Sequence, residues 1–485
     1  MPGLFAGYQP GRGRDEMFAA DGASHAAYRD FHARINRWDA DTYIRRQETA
    51  DLDTLNSGIT FTVYGDKAGT ERIFPFSLVP RIVAPDEWQR IERGLVQRVT
   101  ALNRFLVDVY GEQRSLADGV VPAEMILQHP AYQPLMRGFT PPLGAFFNIA
   151  GIDLIRDQQG EFRVLEDNLR TPSGVSYVIE NRRTMLNCVP DLFPPGGVEP
   201  VDAYGERLLE MLIAMRPAGV PPSETRAVIL TPGSYNSAYF EHSFLARLMG
   251  IELVEGRDLV VHDKRVYLRA TTGLERVDVI YRRVDDEFLD PLAFRPDSTL
   301  GVAGLIEAYL AGNVTLINAI GGGVADDKAT YCFVPDIIRY FLGEEPLLQN
   351  VETYIGWRPD DLAYMLEHLH ELVLKPTDGS GGYGIVVGPQ ASAATLDAAR
   401  AAIREQPHHW IAQPVQEFST IPSFNGGRFE PRRADLRPYI ITGDSSWVLP
   451  GGLTRVAADS ESYIVNSSQG GGSKDTWVLL RQPEA

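Results

Sequence analysis

The segment 372–384, which reads LVLKPTDGSGGYG and is followed by the apolar run 385–387, constrains the possible folds most. Lys375 ends an apolar strand, where a charge has little reason to lie unless it reaches an anion. The glycines after it let backbone N–H groups approach phosphates closely. The motif is not a Walker A loop, because it lacks GK[ST] and a strand follows where a helix should. It predicts a flexible hairpin lid over a nucleotide; the alternative is a surface hairpin with a glycine tip.

A candidate metal-binding set lies in the stretch GIDLIRDQQGEFRVLEDN: Asp153, Glu166 thirteen residues later, and Asn168. If this stretch is a hairpin turning at 157–160, Asp153 and Glu166 lie on opposite arms. Glu166 and Asn168 are two residues apart, so their side chains share one face. Two carboxylates and an amide oxygen form a site suited to magnesium that carries ATP phosphates. The alternative is a solvated hairpin end.

Length and composition exclude several classes of protein. The 485 residues suggest about three structural units, at roughly 150 residues each. Two cysteines cannot form a disulfide framework, and their spacing does not suggest zinc, so a cytoplasmic setting is expected. The net charge of −18, without a basic run, argues against nucleic acid and acidic membranes. No apolar stretch approaches the length of a membrane-spanning helix.

The periodicity along the chain predicts a mixed α/β organisation. Helices are expected at 17–50, 88–110, 204–215, 237–249, 301–311, 335–342 and 360–370. Strands are expected at 58–64, 146–155, 161–166, 227–230, 251–254, 277–281, 371–375, 385–387, 410–413 and 439–442. The order strand, helix, strand over 227–254 indicates a Rossmann-like β-α-β unit. The segment 466–474 is expected to be an irregular polar loop.

Two further motifs are weaker. The segment 321–328, GGGVADDK, opens a short helix, and Lys328 would add a point charge where a helix N-terminus attracts anions. The alternative is an ordinary glycine loop capped by Asp326 or Asp327. The segment 410–416, WIAQPVQ, is a strand leading to a proline, which could offer backbone groups to an adenine edge; the alternative is an edge strand.

Arginines that could bind phosphate or carboxylate in bidentate fashion occur in three motifs. They are Arg282 and Arg283 in YRRVDD, Arg437 in DLRPY and Arg455 in GLTRVA. Each could equally form a structural ion pair, and Asp285 and Asp286 are the obvious partners for the first two.

Together these motifs resemble the ATP-grasp superfamily. In that family one lysine lies in the central domain, a second lies beside a glycine-rich hairpin, a linker contacts adenine, and an Asp…Glu-x-Asn set binds magnesium. Here the metal set precedes both lysines, which is the order of the circularly permuted group that is similar to glutathionylspermidine synthetase. The phrases VLEDNLRTPSGVSY, YRRVDDEFLDPL and VNSSQGGGSKDTW resemble an uncharacterised bacterial branch of that group.

The resemblance implies a circularly permuted ATP-grasp fold with a Rossmann-like pre-ATP-grasp unit, and ATP with two Mg²⁺ ions as cofactors. It assigns metal binding to Asp153, Glu166 and Asn168, and catalysis to Arg283, Arg437 and Arg455. The implied ATP-binding residues are Lys328, Lys375, Gly379, Ser380, Gly381, Gly382, Gln413, Val415 and Gln416. Substrate contacts are implied for Arg282, Asp285, Ser468 and Lys474.

The reaction implied by the resemblance has two steps. The γ-phosphate of ATP passes to a carboxylate, and an amine or similar nucleophile then attacks the acyl phosphate. The partners are small-molecule or peptide carboxylates and amines, with no nucleic acid or membrane. No amidase half like that of the bifunctional glutathionylspermidine enzymes is visible. The alternatives are a phosphotransferase using the same ATP site and a binding protein that has lost turnover.

The permuted order also predicts how the chain divides. We expect a flexible arm over 1–20, a helical region with the metal-binding part over 21–200, a Rossmann-like domain over 201–325, and the lysines, lid and C-terminal loop over 326–485. Asp153 and Lys375 should line one cleft although 222 residues separate them. Arg437 should point into that cleft.

Overall fold

The computed structural model describes residues 3–58, 60–62, 71–73, 75–377, 379, 384–463, 465 and 471–481. The helices are α1 Arg29–Ile35, α2 Ala40–Asn56, α3 Pro85–Tyr110, α4 Arg114–Ala117, α5 Ala123–Leu127, α6 Val175–Cys188, α7 Tyr204–Ala214, α8 Tyr239–Met249, α9 Leu305–Leu310, α10 Lys328–Tyr331, α11 Val334–Leu342, α12 Pro359–His368 and α13 Ala393–Glu405. The first strands are β1 Thr60–Thr62, β2 Glu71–Ile73, β3 Phe76–Val83, β4 Ile149–Arg156, β5 Phe162–Asn168, β6 Ala227–Leu230, β7 Glu252–Val254, β8 Leu259–His262, β9 Arg265–Ala270, β10 Gly273–Val277, β11 Val279–Arg282 and β12 Thr315–Ile317. The remaining strands are β13 Gln349–Asn350, β14 Tyr354–Ile355, β15 Leu372–Pro376, β16 Val386–Val387, β17 Trp410–Pro414, β18 Thr420–Asn425, β19 Arg428–Arg437, β20 Tyr439–Thr442, β21 Ser446–Val448, β22 Leu453–Val456 and β23 Gly472–Val478.

The main sheet carries its strands in the order β13-β5-β4-β19-β22-β23-β3, with β18 paired to β19 and β20 paired to β4 and β21. It is mixed: β13 and β3 pair in parallel with their neighbours, and the pairs between β5 and β23 are antiparallel. Side chains alternate between the two faces of a strand. Leu154 and Leu436 therefore face the apolar core on one side, and Asp153 and Asp435 face the other side.

Helix α3 covers the apolar face of this sheet. Pro85 at its first position and two acidic residues in its first turn suit a helix N-terminus. Ile91, Leu95 and Leu102 recur at helical spacing and are buried in the same cluster as Leu154 and Leu436. Burial of each such side chain contributes about 1.5–3 kcal/mol, so the helix fixes the sheet that carries the site.

A second sheet has the order β12-β11-β6-β7, and all its pairs are parallel. Helix α8 connects β6 to β7, which confirms the predicted Rossmann-like β-α-β unit. An antiparallel meander, β8 to β10, lies between β7 and β11 along the chain.

A third sheet has the order β14-β17-β15-β16 and is antiparallel; we call it the lid sheet. Leu372, Leu374 and Ala412 pack on one face against α12 and α13 through residues such as Met365 and Ile403. Because side chains alternate, Lys375 and Gln413 lie on the other face.

Several local predictions differ from the structure. Residues 17–25 are not helical, and the rest of the predicted first helix is divided between a 3-10 turn at Ala26–Tyr28, α1 and α2. Gly472–Val478 is a strand where a polar loop was expected to run to 474. β17 is an inner strand rather than an edge strand, because β14 and β15 pair with its two sides. In the segment expected to be a flexible arm, Asp15, Glu16 and Met17 are buried. Gly472–Val478 is a strand because it pairs with β22 and β3, and Glu16 is buried because it forms an ion pair with Arg81.

Within the described ranges, no helix is long and apolar enough to cross a membrane.

Candidate active site

The hairpin of β4 and β5 brings the predicted metal-binding residues to one face. Asp153 is directly opposite Glu166, and Gly151 is directly opposite Asn168. The register shifts by one residue after Asp153, so Leu165 is an extra residue on β5. The three oxygen-bearing side chains therefore lie on the face of the main sheet away from α3, as the period-two spacing predicted.

Two arginines from distant strands hold Asp153. Arg437 donates to both carboxylate oxygens, through Nε at 2.5 Å and Nη2 at 2.8 Å, and Arg455 donates through Nη2 at 2.7 Å. Burial alone would raise the pKa of Asp153, but the charges of Arg437 and Arg455 outweigh it and hold the pKa well below its usual range. Gly151 leaves the room that Arg437 needs, because a Cβ there would lie 3.3 Å from Arg437 Cδ.

Lys328 is the first residue of α10, a helix of one turn. The side chain of Asp327 caps this helix by accepting from the amides of Ala329 and Thr330. The Lys328 ammonium donates to the backbone oxygen of Gly379 at 2.5 Å and forms an ion pair with Glu166 at 2.9 Å. Lys328 therefore links the β4–β5 hairpin to the start of the predicted lid.

Lys375 lies on the open face of the lid sheet and donates to Gln413 Oε1 at 2.7 Å. Burial lowers the pKa of Lys375 to about 8; the charges of Glu166 and Asp153 act in the opposite direction, and that of Lys328 acts with burial. The ammonium is thus close enough to both carboxylates to respond to their charge.

A cavity lies where these segments meet. Leu165 and Glu166 of β5, Lys328 of α10, Lys375 of β15 and Ile411 of β17 line it, together with Asp167, Asp326 and Tyr331. Two lysines and three carboxylates thus share one cavity, although their segments are far apart in sequence. Asp167 and Asp326 pair with Arg98 and Arg170, so Glu166 is the carboxylate that lies beside the two lysines.

The donor set fits magnesium in part. In the residues that the structure describes, no group of three His, Cys, Asp or Glu side chains could hold a metal ion, so the other ligands of a magnesium ion here would be amide, water or phosphate oxygens. Asn168 could supply an amide oxygen. Its side-chain nitrogen is buried without a partner among the described residues, and a half-turn of the amide would put the oxygen at the position of that nitrogen. Glu166 and Asn168 therefore fit, whereas Asp153 is already held by Arg437 and Arg455.

Arg282, the last residue of β11, and Arg283, which follows it, are engaged by other parts of the protein. Arg282 donates to the backbone oxygen of Asn318 at 2.7 Å and pairs with Asp286 at 2.6 Å, the partner type that the sequence suggested. Arg283 pairs instead with Glu241 of α8 at 3.4 Å and donates to the backbone oxygen of Pro172 at 2.8 Å. The structure does not bring Arg282 or Arg283 to the cavity, and Asp285 is exposed beside them.

Lys474 lies on the opposite face of the main sheet from Arg455, because its neighbour Ser473 is paired with Arg455. Its ammonium is fully buried and donates to Ser77 Oγ at 2.8 Å and to the backbone oxygen of Pro422 at 2.9 Å. The structure therefore does not bring Lys474 to the cavity.

Of the remaining predicted site residues, some lie in the described part of the chain and some do not. Val415 and Gln416 follow β17 and are half-buried, and Gln416 donates to the backbone oxygen of Pro414. Gly379 is the acceptor for Lys328. Ser380, Gly381, Gly382 and Ser468 lie outside the described residues.

The sequence reasoning missed two side chains that support the site. Arg98 of α3 binds both oxygens of Asp167, between Glu166 and Asn168, at 2.7 Å and 2.6 Å. A signal existed, because Arg98 falls on the apolar stripe of α3, where a charge needs a buried partner. Asn318 bonds the backbone at 148–149 and at 169–170, and so clamps the two arms of the hairpin. No local pattern marked Asn318.

Comparison with known proteins places this geometry in a family. An uncharacterised protein of Mycobacterium tuberculosis is 52% identical over 472 residues, covering 97% of this chain and 85% of that protein. A Synechocystis protein, also uncharacterised, is 50% identical over 473 residues, covering 97% and 98%. A Frankia casuarinae protein named "Putative glutamate–cysteine ligase 2-2" is 42% identical over 481 residues, covering 99% of this chain and 55% of that protein.

A solved structure, that of a glutathione synthetase-like effector from Globodera pallida in its apo form, matches with a TM-score of 0.60 and 11% identity. The match covers 91% of this chain and 98% of that one. At this identity the likeness shows the fold alone. Residues 80–457 match the family described as circularly permuted ATP-grasp type 2. The chain therefore belongs to the circularly permuted ATP-grasp type 2 family.

Proposed function

We propose that the protein is an ATP- and magnesium-dependent ligase that activates a carboxylate as an acyl phosphate and joins it to an amine or a thiol. One observation carries the proposal: Lys328, Lys375 and Glu166 meet in a single cavity. A lysine from each side of the cavity suits the phosphate chain of ATP, and family membership makes ATP the expected nucleotide.

In the proposed reaction, a carboxylate oxygen of the acid attacks the γ-phosphorus of ATP, and the bond from that phosphorus to the β–γ bridging oxygen breaks. The products are an acyl phosphate and ADP. The amine nitrogen then attacks the acyl carbon, the bond from that carbon to the phosphate oxygen breaks, inorganic phosphate leaves, and the amine loses a proton. Lys328 and Lys375 would hold the transferring phosphate, while Arg437 and Arg455 supply positive charge beside Asp153.

Glu166 and Asn168 would hold the magnesium that family members use. When bound, magnesium supplies charge neutralisation for phosphate oxygens. Asp153 contributes through Arg437 and Arg455, whose guanidinium groups it fixes on the same face.

The printed name of one relative supports the reaction class. The Frankia casuarinae protein is named "Putative glutamate–cysteine ligase 2-2", and we extend the ligase type, without the substrates, to this chain. The net charge of −18 supports small-molecule or peptide partners over nucleic acid. The two free cysteines support a cytoplasmic location.

The test is a screen for ADP release over amino acids, peptides and polyamines, with mass spectrometry of the product. A ligase gives a new amide or thioester with ADP and inorganic phosphate. A phosphorylated product with ADP alone would identify a phosphotransferase and refute the ligase. The control is Lys375→Met, which keeps an apolar stem in place and should release no ADP above background.

A further inference from the structure

Gln413 lies in the middle of the lid sheet and is only 3% exposed. It is on β17, opposite Val373 of β15, so Lys375 is its diagonal neighbour on the same face. Diagonal neighbours across an antiparallel pair are within reach of long side chains. The bond of 2.7 Å from Lys375 Nζ to Gln413 Oε1 follows from this register.

A chain of hydrogen bonds fixes the direction of the Gln413 amide. The hydroxyl of Thr353 donates to the backbone oxygen of Val351 at 2.9 Å. A hydroxyl has one proton, so Thr353 can only accept from Gln413, and the Nε2 of Gln413 donates to it at 2.9 Å. Oε1 must then face the other way, and there it accepts from Lys375. Both polar atoms of the amide are therefore engaged within the protein.

The two lysines of the cavity are held differently. Lys328 has a bonded carboxylate, that of Glu166. The hydrogen bond of Lys375 goes to a neutral amide, which positions the ammonium without cancelling its charge. The charged groups that face or influence this ammonium come from three elements and one connecting segment: Glu166 and Asp167 on β5, Asp153 on β4, Lys328 on α10, and Asp326 in the segment before α10.

We infer that Gln413 is a positioning residue for Lys375: its side chain holds the lysine ammonium toward the phosphate-binding part of the cavity and does not recognise the adenine base. The inference rests on the proposed function, since it takes ATP as the ligand. Gln413 is the first residue of the predicted adenine linker, and the inference gives it a role at Lys375 instead of at the base. Contacts with the base are then left to the backbone of residues 414–416.

The test is a double-mutant cycle on the full-length chain, with binding of magnesium–ATP and of inorganic tripolyphosphate measured by calorimetry. Gln413→Met should weaken ATP roughly tenfold, the size expected for one hydrogen bond to a charged group. Tripolyphosphate, which has no base, should weaken by the same factor. In the Lys375→Met background, Gln413→Met should change ATP affinity by less than about twofold, because the two side chains act as one unit.

Two further variants serve as controls. Gln413→Glu keeps the oxygen that accepts from Lys375 but adds a negative charge that offsets the ammonium, so it should weaken ATP and tripolyphosphate by the same factor, even if Gln413→Met perturbs folding. Gln349→Met makes the same change at an exposed position of β13 and should have no effect. Loss of ATP affinity without loss of tripolyphosphate affinity, or full additivity with Lys375→Met, would overturn the inference. Absence of ATP binding by the wild type would instead overturn the proposed function.

Discussion

Replacing Glu166 by glutamine separates its structural contribution from its proposed role at magnesium. The change keeps the size of the side chain and removes its charge. In the structure the carboxylate lies 2.9 Å from the Lys328 ammonium, and the two side chains are 29% and 14% exposed. Coulomb's law at an effective dielectric constant of about 20 gives ~6 kcal/mol for two unit charges at that distance. Partial exposure and the desolvation of both groups reduce the net contribution to about 1 kcal/mol.

The stability of the ligand-free variant should therefore fall by only about 1 kcal/mol, measured by chemical denaturation. Turnover should fall far more, by roughly 100-fold or more at the magnesium level that saturates the wild type, because a metal ligand is lost. ADP release across a magnesium titration is the assay, and added magnesium should restore part of the activity.

The matched control is Glu210→Gln, which breaks an ion pair with Arg207 at 3.2 Å on the exposed surface of α7. It removes the same charge outside the cavity and should leave both stability and turnover almost unchanged. If Glu166→Gln keeps the turnover and magnesium dependence of the wild type, Glu166 is not a ligand and the reasoning fails. If it loses turnover only because it unfolds, the denaturation measurement will show a loss much larger than about 1 kcal/mol.

Three other outcomes follow from charge and burial. ATP affinity, measured by calorimetry, should weaken as pH rises through about 8, where Lys375 loses its proton, and Lys375→Met should remove that dependence. Lys474→Met should raise stability at neutral pH, because burial holds the pKa of Lys474 well below its unfolded value. Since the folded state then binds fewer protons than the unfolded state, wild-type stability should rise with pH, and denaturation at two pH values should show a flatter dependence in the variant. Asp153→Asn should cost about 3–5 kcal/mol at neutral pH, because it leaves Arg437 without its carboxylate partner and Arg455 with Asp435 alone. The folded-state pKa of Asp153 is depressed, so its contribution is present above roughly pH 4 and is lost as pH falls further; a stability gap that does not narrow in acid would contradict this.

Much of the fold was predictable because its signals are local. The apolar run that ends at Lys375 is a strand, and the stretch from 149 to 168 is a hairpin that places Glu166 and Asn168 on one face. The β-α-β unit around α8 also follows from periodicity alone. The roles of the individual site residues stay predictions until binding and turnover are measured.

The remaining features depend on contacts that no local pattern encodes. Asp153 and Arg455 are 302 positions apart. The residues around each of them do not indicate that the two charges neutralise each other. Lys474 was grouped with the site by its motif, yet strand alternation turns its side chain to the opposite face from Arg455. A difference of one residue along a strand puts a side chain on the opposite face of the sheet. This could not be predicted for Lys474, because a polar loop was expected where the strand lies.

By itself, the sequence determined most of the helices and strands and the permuted order of the motifs, and it supplied the candidates for the side chains that carry chemistry. These properties depend on residue type and on spacing over a few positions. Local steric preference and the burial of one face of each helix or strand act over the same short range. Only the tertiary structure decided which charges are free to meet a ligand. It engages Asp153 with two arginines and pairs Lys328 with Glu166, and it holds Lys375 by the neutral amide of Gln413. The physical reason is that the interaction free energy of a charged group depends on its desolvation and on the partners that folding brings within a few ångströms. Those partners come from segments far apart in the chain.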